Sequence, residues 1–316
     1  MTRAFVFPGQ GSQAVGMGRE LAEAFEVARL TFEEVDDALN QRLSRLMFEG
    51  PDADLTLTEN AQPALMAVSV AVMRVLKDQG GLDIGKHAAF VAGHSLGEYS
   101  ALCAAGSFSL ADTARLLKLR GQAMQKAVPV GKGAMAALLG AELEQAQAIA
   151  ADAAQGAEGD VCTVANDNSS GQVVISGHAE AIDRAIVLAA ERGLKRSVRL
   201  PVSAPFHCPL MQPAADAMAD ALANVTISAP AVPVVANVTA SAVSDPNTIR
   251  RLLVEQVTGM VRWRESVLFM KEQGVDSLVE LGSGKVLSGL AKRIDKELAG
   301  TSVQGPADVE SFLKTL

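Results

Sequence analysis

Residues 88–98 read Ala-Ala-Phe-Val-Ala-Gly-His-Ser-Leu-Gly-Glu, a short apolar run that passes directly into Gly93-His94-Ser95-Leu96-Gly97. An uninterrupted apolar run of this length, closed by glycine, has the pattern of a strand buried on both faces. The G-x-S-x-G that follows suits a sharp strand-to-helix turn, because glycines on either side of the serine remove the Cβ atoms such a turn would crowd. The serine then stands exposed at the carboxyl edge of a sheet. Behind it, a helix N-terminus offers unpaired N–H groups and a partial positive charge, both suited to an oxyanion. The plainer alternative is a strand–helix turn in which Ser95 serves only as a helix cap. The predicted order of buried strand, motif and helix favours a nucleophile.

Outward from this element the same alternation continues. Residues 3–7 form a predicted buried strand stopped by Pro8-Gly9. Leu21, Ala24, Phe25, Ala28, Phe32, Val35 and Leu39 recur at helical spacing, which predicts one amphipathic helix. A second helix starts near Thr58, with Pro63 in its first turn, and is apolar nearly all round from Ala64 to Leu76. A further helix covers about 110–127. Strands alternating with helices predict a parallel sheet covered on both faces.

The middle third changes rhythm. Strands at 135–140, 161–166, 172–177 and 195–202 and helices ending near 154 and 192 give the order β-α-β-β-α-β, that of a ferredoxin-like unit. The expected fold is therefore α/β, with a large domain of 1–130 and 201–316 built on a parallel sheet and a small ferredoxin-like subdomain of 131–200 inserted into it. After the insertion the spacing predicts a helix from Pro209, a strand at 232–238, helices over 246–257 and 263–273, a strand at 275–281 and a closing helix after Gly282-Ser283-Gly284.

Composition narrows the function. The 316 residues are 49% apolar and 20% charged, enough for a large core, but only 4% aromatic, so that core is aliphatic. The net charge of −8, with no basic block, argues against nucleic acid as a partner. Cys103, Cys162 and Cys208 are scattered and odd in number, which predicts neither a disulfide framework nor a metal site and suits a reducing cytoplasm. The N-terminal apolar stretch is too short for a signal peptide, and no run is long enough to span a membrane.

A serine nucleophile needs a neighbouring base. Of the four histidines, His94 adjoins Ser95 on the turn and points elsewhere, so it reads as structural. His87 lies in a loop before a strand, and His178 lies deep in the insertion. His207 sits in Ala-Pro-Phe-His-Cys-Pro (204–209), a loop held by two prolines where the chain re-enters the large domain. It is the leading candidate, with a capping or merely exposed histidine as the alternative. No carboxylate between Ser95 and His207 occupies a convincing strand end, which leaves the third member of a triad open. Gly9-Gln10-Gly11-Ser12-Gln13-Ala14 partly matches a dinucleotide fingerprint, but an amphipathic helix stands where the second strand and its acidic residue belong. The competing use of this loop is to place the N–H of Gln10 beside that of Leu96 as an oxyanion hole.

FPGQGSQ near the start, TENAQPA (58–64), GHSLGE (93–98), Arg120 in LLKLRGQAMQ, APFH (204–207) and GKVLSGLAKR (284–293) occur in this order. This ordered set, spanning essentially the whole chain, resembles the malonyl-CoA:acyl carrier protein transacylase family. The resemblance implies an α/β-hydrolase-like large domain with a ferredoxin-like insertion. It implies Ser95 as nucleophile, His207 as base and the N–H groups of Gln10 and Leu96 as oxyanion hole. It further implies that Arg120 pairs with the malonyl carboxylate, that Gln62 lines the pocket, and that the main-chain carbonyl of Gln256 orients His207. Phe206 matches the malonyl-selective form of its segment. Where the family often has proline, this chain has Ser170 in Asn168-Ser169-Ser170-Gly171-Gln172, with a local effect on loop stiffness expected.

The implied partners are malonyl-CoA and an acyl carrier protein, with no resident cofactor or metal and a monomeric chain. Lys195, Arg196, Lys285, Lys292 and Arg293 are candidate cations for carrier docking. The rival readings are a serine hydrolase or thioesterase, a non-catalytic carrier-docking protein, and an acyltransferase serving a polyketide synthase.

Overall fold

The computed structural model describes residues 2–202 and 204–316. Among them ten strands form: β1 (Arg3–Phe7), β2 (Phe90–Gly93), β3 (Gly133–Leu139), β4 (Cys162–Ser169), β5 (Gln172–His178), β6 (Arg196–Arg199), β7 (Val234–Ala236), β8 (Ser241–Val243), β9 (Ser277–Leu281) and β10 (Ala299–Val303). They make two sheets. The larger has the order β10-β9-β1-β2-β7-β8 and is parallel except for β8, which turns back on β7. The smaller, β4-β5-β3-β6, is antiparallel throughout, the order of a split βαβ unit.

The apolar runs explain the larger sheet. Phe5, Phe7, Val91 and Val279 face one hydrophobic core, while Ala4, Val6, Ala92 and Leu278 face a second on the opposite side. Successive residues of each strand point to opposite faces, so both faces need apolar side chains, and both are covered by helices. The helix Thr58–Gly80 runs through the first core, with its residues from Ala61 to Ala71 all buried.

Several elements depart from the sequence expectations. The predicted helix over Leu21–Leu39 is two, Arg19–Ala24 and Glu26–Leu39, because Phe25 takes an extended conformation between them. Pro63 is the sixth residue of its helix, beyond the first turn, so its ring removes an intrahelical hydrogen bond. The hairpin between β4 and β5 is tighter than the predicted turn: β4 runs through Ser169, and Ser170-Gly171 alone reverse the chain, with Gly171 at φ 75°. The chain continues past the predicted closing helix into β10 and the helix Pro306–Leu313. The Gly9–Ala14 segment does not open a helix; irregular backbone continues to Gly18, which removes the geometry a dinucleotide fingerprint requires.

Candidate active site

β1 and β2 are neighbours in register, so the loops after Phe7 and after Gly93 emerge side by side at the carboxyl edge of the sheet. Ser95 stands at the turn with φ 54° and ψ −111°, a conformation rare for a residue with a side chain. Its neighbours make this turn possible. A Cβ on Gly93 would run into the backbone of Gly97, and one on Gly97 into the carbonyl of Phe7. A Cβ on Gly9 would lie 2.8 Å from the carbonyl oxygen of His94, so the first loop also lies against the elbow. The helix Leu96–Ala104 starts immediately behind Ser95. Both Gln10 and Leu96 line the pocket, and among the described residues neither main-chain N–H has a hydrogen-bond acceptor.

His207, also at positive φ (56°), reaches Ser95 from 112 residues away: its Nε2 lies 2.7 Å from Ser95 Oγ. Its Nδ1 lies 2.8 Å from the main-chain carbonyl oxygen of Gln256. A carbonyl has no proton to give, so Nδ1 carries the hydrogen, and in the neutral ring Nε2 is left as the acceptor for the serine O–H. Burial, reinforced by the Arg120 charge, pushes the His207 imidazole down to about 3. The ring is thus neutral and able to accept a proton across ordinary pH.

Arg120 is 1% exposed and, among the described residues, has no direct carboxylate partner. Its guanidinium donates to Gln62 Oε1 at 2.7 Å, to Gln256 Oε1 at 2.8 Å and to Ser95 Oγ at 3.1 Å. Among the described residues its buried Nε–H has no acceptor. Two features place it there. Gly121 lets the helix Leu110–Ala127 approach Thr58–Gly80, since a Cβ there would lie 2.5 Å from Glu59 Cα. Tyr99, on the helix behind the elbow, presents its ring 5.7 Å from the guanidinium carbon.

These groups open on a cavity of about 320 Å³. Gln10, Gln62, Ser95, Leu96, Arg120, Phe206 and His207 all line it, together with Met124 and Met135. The residues implied as nucleophile, base, oxyanion hole and substrate pocket therefore meet at this site, whereas the docking candidates Lys195, Arg196, Lys285, Lys292 and Arg293 do not line it. Gln256 meets it through both its carbonyl and its amide. His94 turns away from Ser95 Oγ and bonds Asn168 of β4 at 2.8 Å. His87 and His178 serve local roles, bonding Asp83 and the N–H of Val161 respectively.

Two residues escaped the sequence reading. Asn237, just past β7, accepts the N–H of Ser95 at 2.8 Å and donates to the Gly93 carbonyl at 2.7 Å, which clamps the elbow. Glu98, in the first turn behind Ser95, is 2% exposed and accepts from the Gln256 amide at 2.9 Å and from the Asn237 N–H at 3.2 Å. Burial pushes its carboxyl up to about 7. The available signal was a carboxylate and an amide at the carboxyl ends of adjacent buried strands, where an α/β sheet gathers its functional groups.

A strained serine at a strand–helix turn, a neutral histidine beside it and free N–H groups at a helix start define the class of nucleophilic acyl-transfer proteins of α/β fold. Comparison with known proteins agrees: the acyl transferase domain family matches residues 4–300. The malonyl CoA-acyl carrier protein transacylase of Escherichia coli K12 is 48% identical over 311 residues, 98% of each chain. The crystal structure of the acyl-carrier-protein-S-malonyltransferase of Bartonella henselae is 56% identical and superposes with a TM-score of 0.96, covering 100% of this chain and 99% of that one. A malonyl-transacylase in complex with a type II PKS acyl-carrier protein is 43% identical with a TM-score of 0.95, over the full length of both chains. The chain is an acyltransferase and belongs to the malonyl-CoA:acyl carrier protein transacylase family.

Proposed function

We propose that this chain carries a malonyl group from malonyl-CoA to the phosphopantetheine thiol of an acyl carrier protein through a malonyl-Ser95 ester, supplying fatty acid synthesis. The observation that carries this reading is one shared oxygen: Ser95 Oγ stands within hydrogen-bond distance of both His207 Nε2 and the Arg120 guanidinium. His207 accepts the Ser95 proton as Oγ attacks the thioester carbonyl. The carbonyl oxygen, now negative, is received by the N–H groups of Gln10 and Leu96. As the C–S bond breaks, the proton passes from Nε2 to the departing thiolate of CoA. The carrier thiol then gives its proton to His207, attacks the ester, and Ser95 regains its hydrogen as the C–O bond breaks.

Arg120 supplies selectivity. Malonyl differs from acetyl by one carboxylate, and a buried guanidinium with spare donor capacity pairs with that group in a dry pocket. Gln62 holds the guanidinium from one side, and Phe206 and Met124 give the pocket an apolar wall. This chemistry uses no resident cofactor or metal. All its parts come from one chain, which acts as a monomer. Three unpaired cysteines accord with a reducing cytoplasm. Among the described residues no helix is long and apolar enough to cross a membrane.

Mass spectrometry after incubation with malonyl-CoA tests the proposal. The expected result is a single malonyl adduct on the peptide carrying Ser95, discharged by a carrier protein bearing phosphopantetheine. Continuous CoA release without carrier would instead identify a hydrolase. An adduct elsewhere would remove Ser95 from the mechanism.

A further inference from the structure

The amide of Gln256 is held one way round. Both of its Nε2 hydrogens are used, one on the Ser95 carbonyl at 2.9 Å and one on Glu98 Oε2 at 2.9 Å. Its oxygen must therefore face the other way, where it accepts from Arg120 at 2.8 Å. Asn237 is fixed in the same sense, since its Oδ1 takes the Ser95 N–H and its Nδ2 the Gly93 carbonyl. Within this buried cluster Glu98 Oε2 also takes the main-chain N–H of Asn237, which can only donate, so this oxygen is an acceptor whether or not the other carboxyl oxygen carries a proton. Were the Gln256 amide reversed, its NH2 would meet the Arg120 NH2, donor against donor, and its oxygen would meet Glu98, acceptor against acceptor. The Ser95 carbonyl and Glu98 Oε2 together hold the NH2 end, and Glu98 is the side-chain member of that pair, the one a substitution can remove.

We propose that Glu98 is a positioning residue for substrate selection: by fixing the polarity of the Gln256 amide, it aims the Arg120 guanidinium at the carboxylate of the incoming acyl group. The inference rests on the malonyl-transfer reading above and assigns one of its determinants. Glu98 touches neither Ser95 Oγ nor His207, and the carbonyl that orients His207 belongs to the main chain of a helix, Pro246–Thr258. Loss of the Glu98 acceptor therefore acts on the choice of acyl group more than on the reactivity of the serine.

The test compares wild type, Glu98→Met and Glu98→Gln for the rate of Ser95 acylation by malonyl-CoA and by acetyl-CoA. Methionine fills a similar volume without a strong acceptor; glutamine keeps an acceptor oxygen without the charge. In Glu98→Met, kcat/KM for malonyl-CoA should fall by about 10- to 100-fold, the scale of a lost hydrogen bond to a charged group, while acetyl-CoA changes by less than about 3-fold. Glu98→Gln should keep the malonyl/acetyl ratio within about 3-fold of wild type. An equal loss for both thioesters in a folded Glu98→Met protein would make Glu98 merely structural. Should Glu98→Met fail to fold, Glu98→Gln still decides, because a collapse of its selectivity would overturn the polarity argument. Wild-type protein that forms no malonyl adduct at all would sink the malonyl-transfer reading instead, a separate outcome from any difference among variants.

Discussion

The main-chain carbonyl of Gln256 receives the Nδ1–H of His207 at 2.8 Å, in the place where many serine-nucleophile sites put a carboxylate. A carbonyl fixes the tautomer and the ring orientation without adding a full negative charge beside the imidazole. It also cannot be removed by changing the Gln256 side chain. Ser95→Ala and His207→Ala should each lower transfer by about 10³-fold or more, since one removes the nucleophile and the other its base. Gln256→Ala should still acylate Ser95 from acetyl-CoA within about 10-fold of wild type, while losing its preference for malonyl-CoA. Single-turnover acylation with both thioesters checks this; a Gln256→Ala protein as inert as His207→Ala would show that the carbonyl is not what orients the ring.

Arg120 faces the same histidine that it helps to keep neutral. After burial, its charge is the larger cause holding the His207 imidazole down near 3. Removal of that charge raises the imidazole toward its ordinary value of 6.5. In Arg120→Ala, the acid limb of kcat/KM for acetyl-CoA should therefore move to higher pH than in wild type. Malonyl-CoA turnover should drop by about 100-fold or more, because its carboxylate then enters a buried pocket without a partner. A pH–rate profile with an unmoved acid limb would separate Arg120 from the base.

Glu98 gives the fold a pH dependence of definite sign. Its carboxyl, at about 7 in the folded chain against an ordinary 4.5, binds its proton more tightly when folded. Between those values the folded state holds more protons than the unfolded one, so stability is lost as pH rises through the window. His207 works in the opposite direction, with stability falling as pH drops from 6.5 toward 3. Since Glu98→Gln retains His207, the stability difference between variant and wild type isolates the carboxyl. That difference should shift in favour of the variant by about 1 kcal/mol per pH unit as pH rises between 4.5 and 7. Urea denaturation at pH 5 and pH 7.5 measures it, and a pH-independent difference would place the Glu98 carboxyl at its ordinary value.

The small sheet is tied to the helix Trp263–Glu272 of the large domain by an ion pair whose acid is buried and whose base is partly exposed. Asp167 of β4 is fully buried, and Arg264 donates to it through Nε at 3.0 Å. Beside the pair, the N–H of Asp167 donates to the Val261 carbonyl at 3.0 Å, and the N–H of Val261 to the Ala165 carbonyl at 2.8 Å. Arg264→Leu leaves a buried carboxylate without its cation and should cost about 3–5 kcal/mol. Adding Asp167→Asn should recover part of that loss, because the remaining group is neutral. Thermal or urea unfolding of the single and double variants reads the coupling; additive losses would mean the two residues act independently.

How legible the fold was in the sequence depended on the element. The buried strands around Phe5, Val91 and Val279 were readable because a sheet covered on both faces requires unbroken apolar runs. The insertion was readable from the order of its elements. The break at Phe25 and the strand β10 were not, since Phe25 carries no glycine or proline signal and Ala299–Val303 is a half-exposed stretch of small and polar residues. Among the site residues, the elbow serine announced itself through its glycines, and His207 through its paired prolines. Arg120, Gln62 and Gln256 were indicated by resemblance, because an arginine on a helix looks the same in sequence whether it meets water or lies buried against a serine.

By itself, the sequence determined which backbone turns are possible: only glycine at 93 and 97 leaves room for the elbow, a local steric fact written in those two positions. Tertiary structure decided everything that depends on distance across the chain. It brought Ser95 to His207, set Asn237 against Ser95 and turned the Gln256 amide toward Arg120. Those contacts join residues from different strands and helices, and each is fixed by packing of the elements that carry it. No local pattern of residue types encodes such a meeting, because the same side chains at the same spacings serve equally well on a solvated surface.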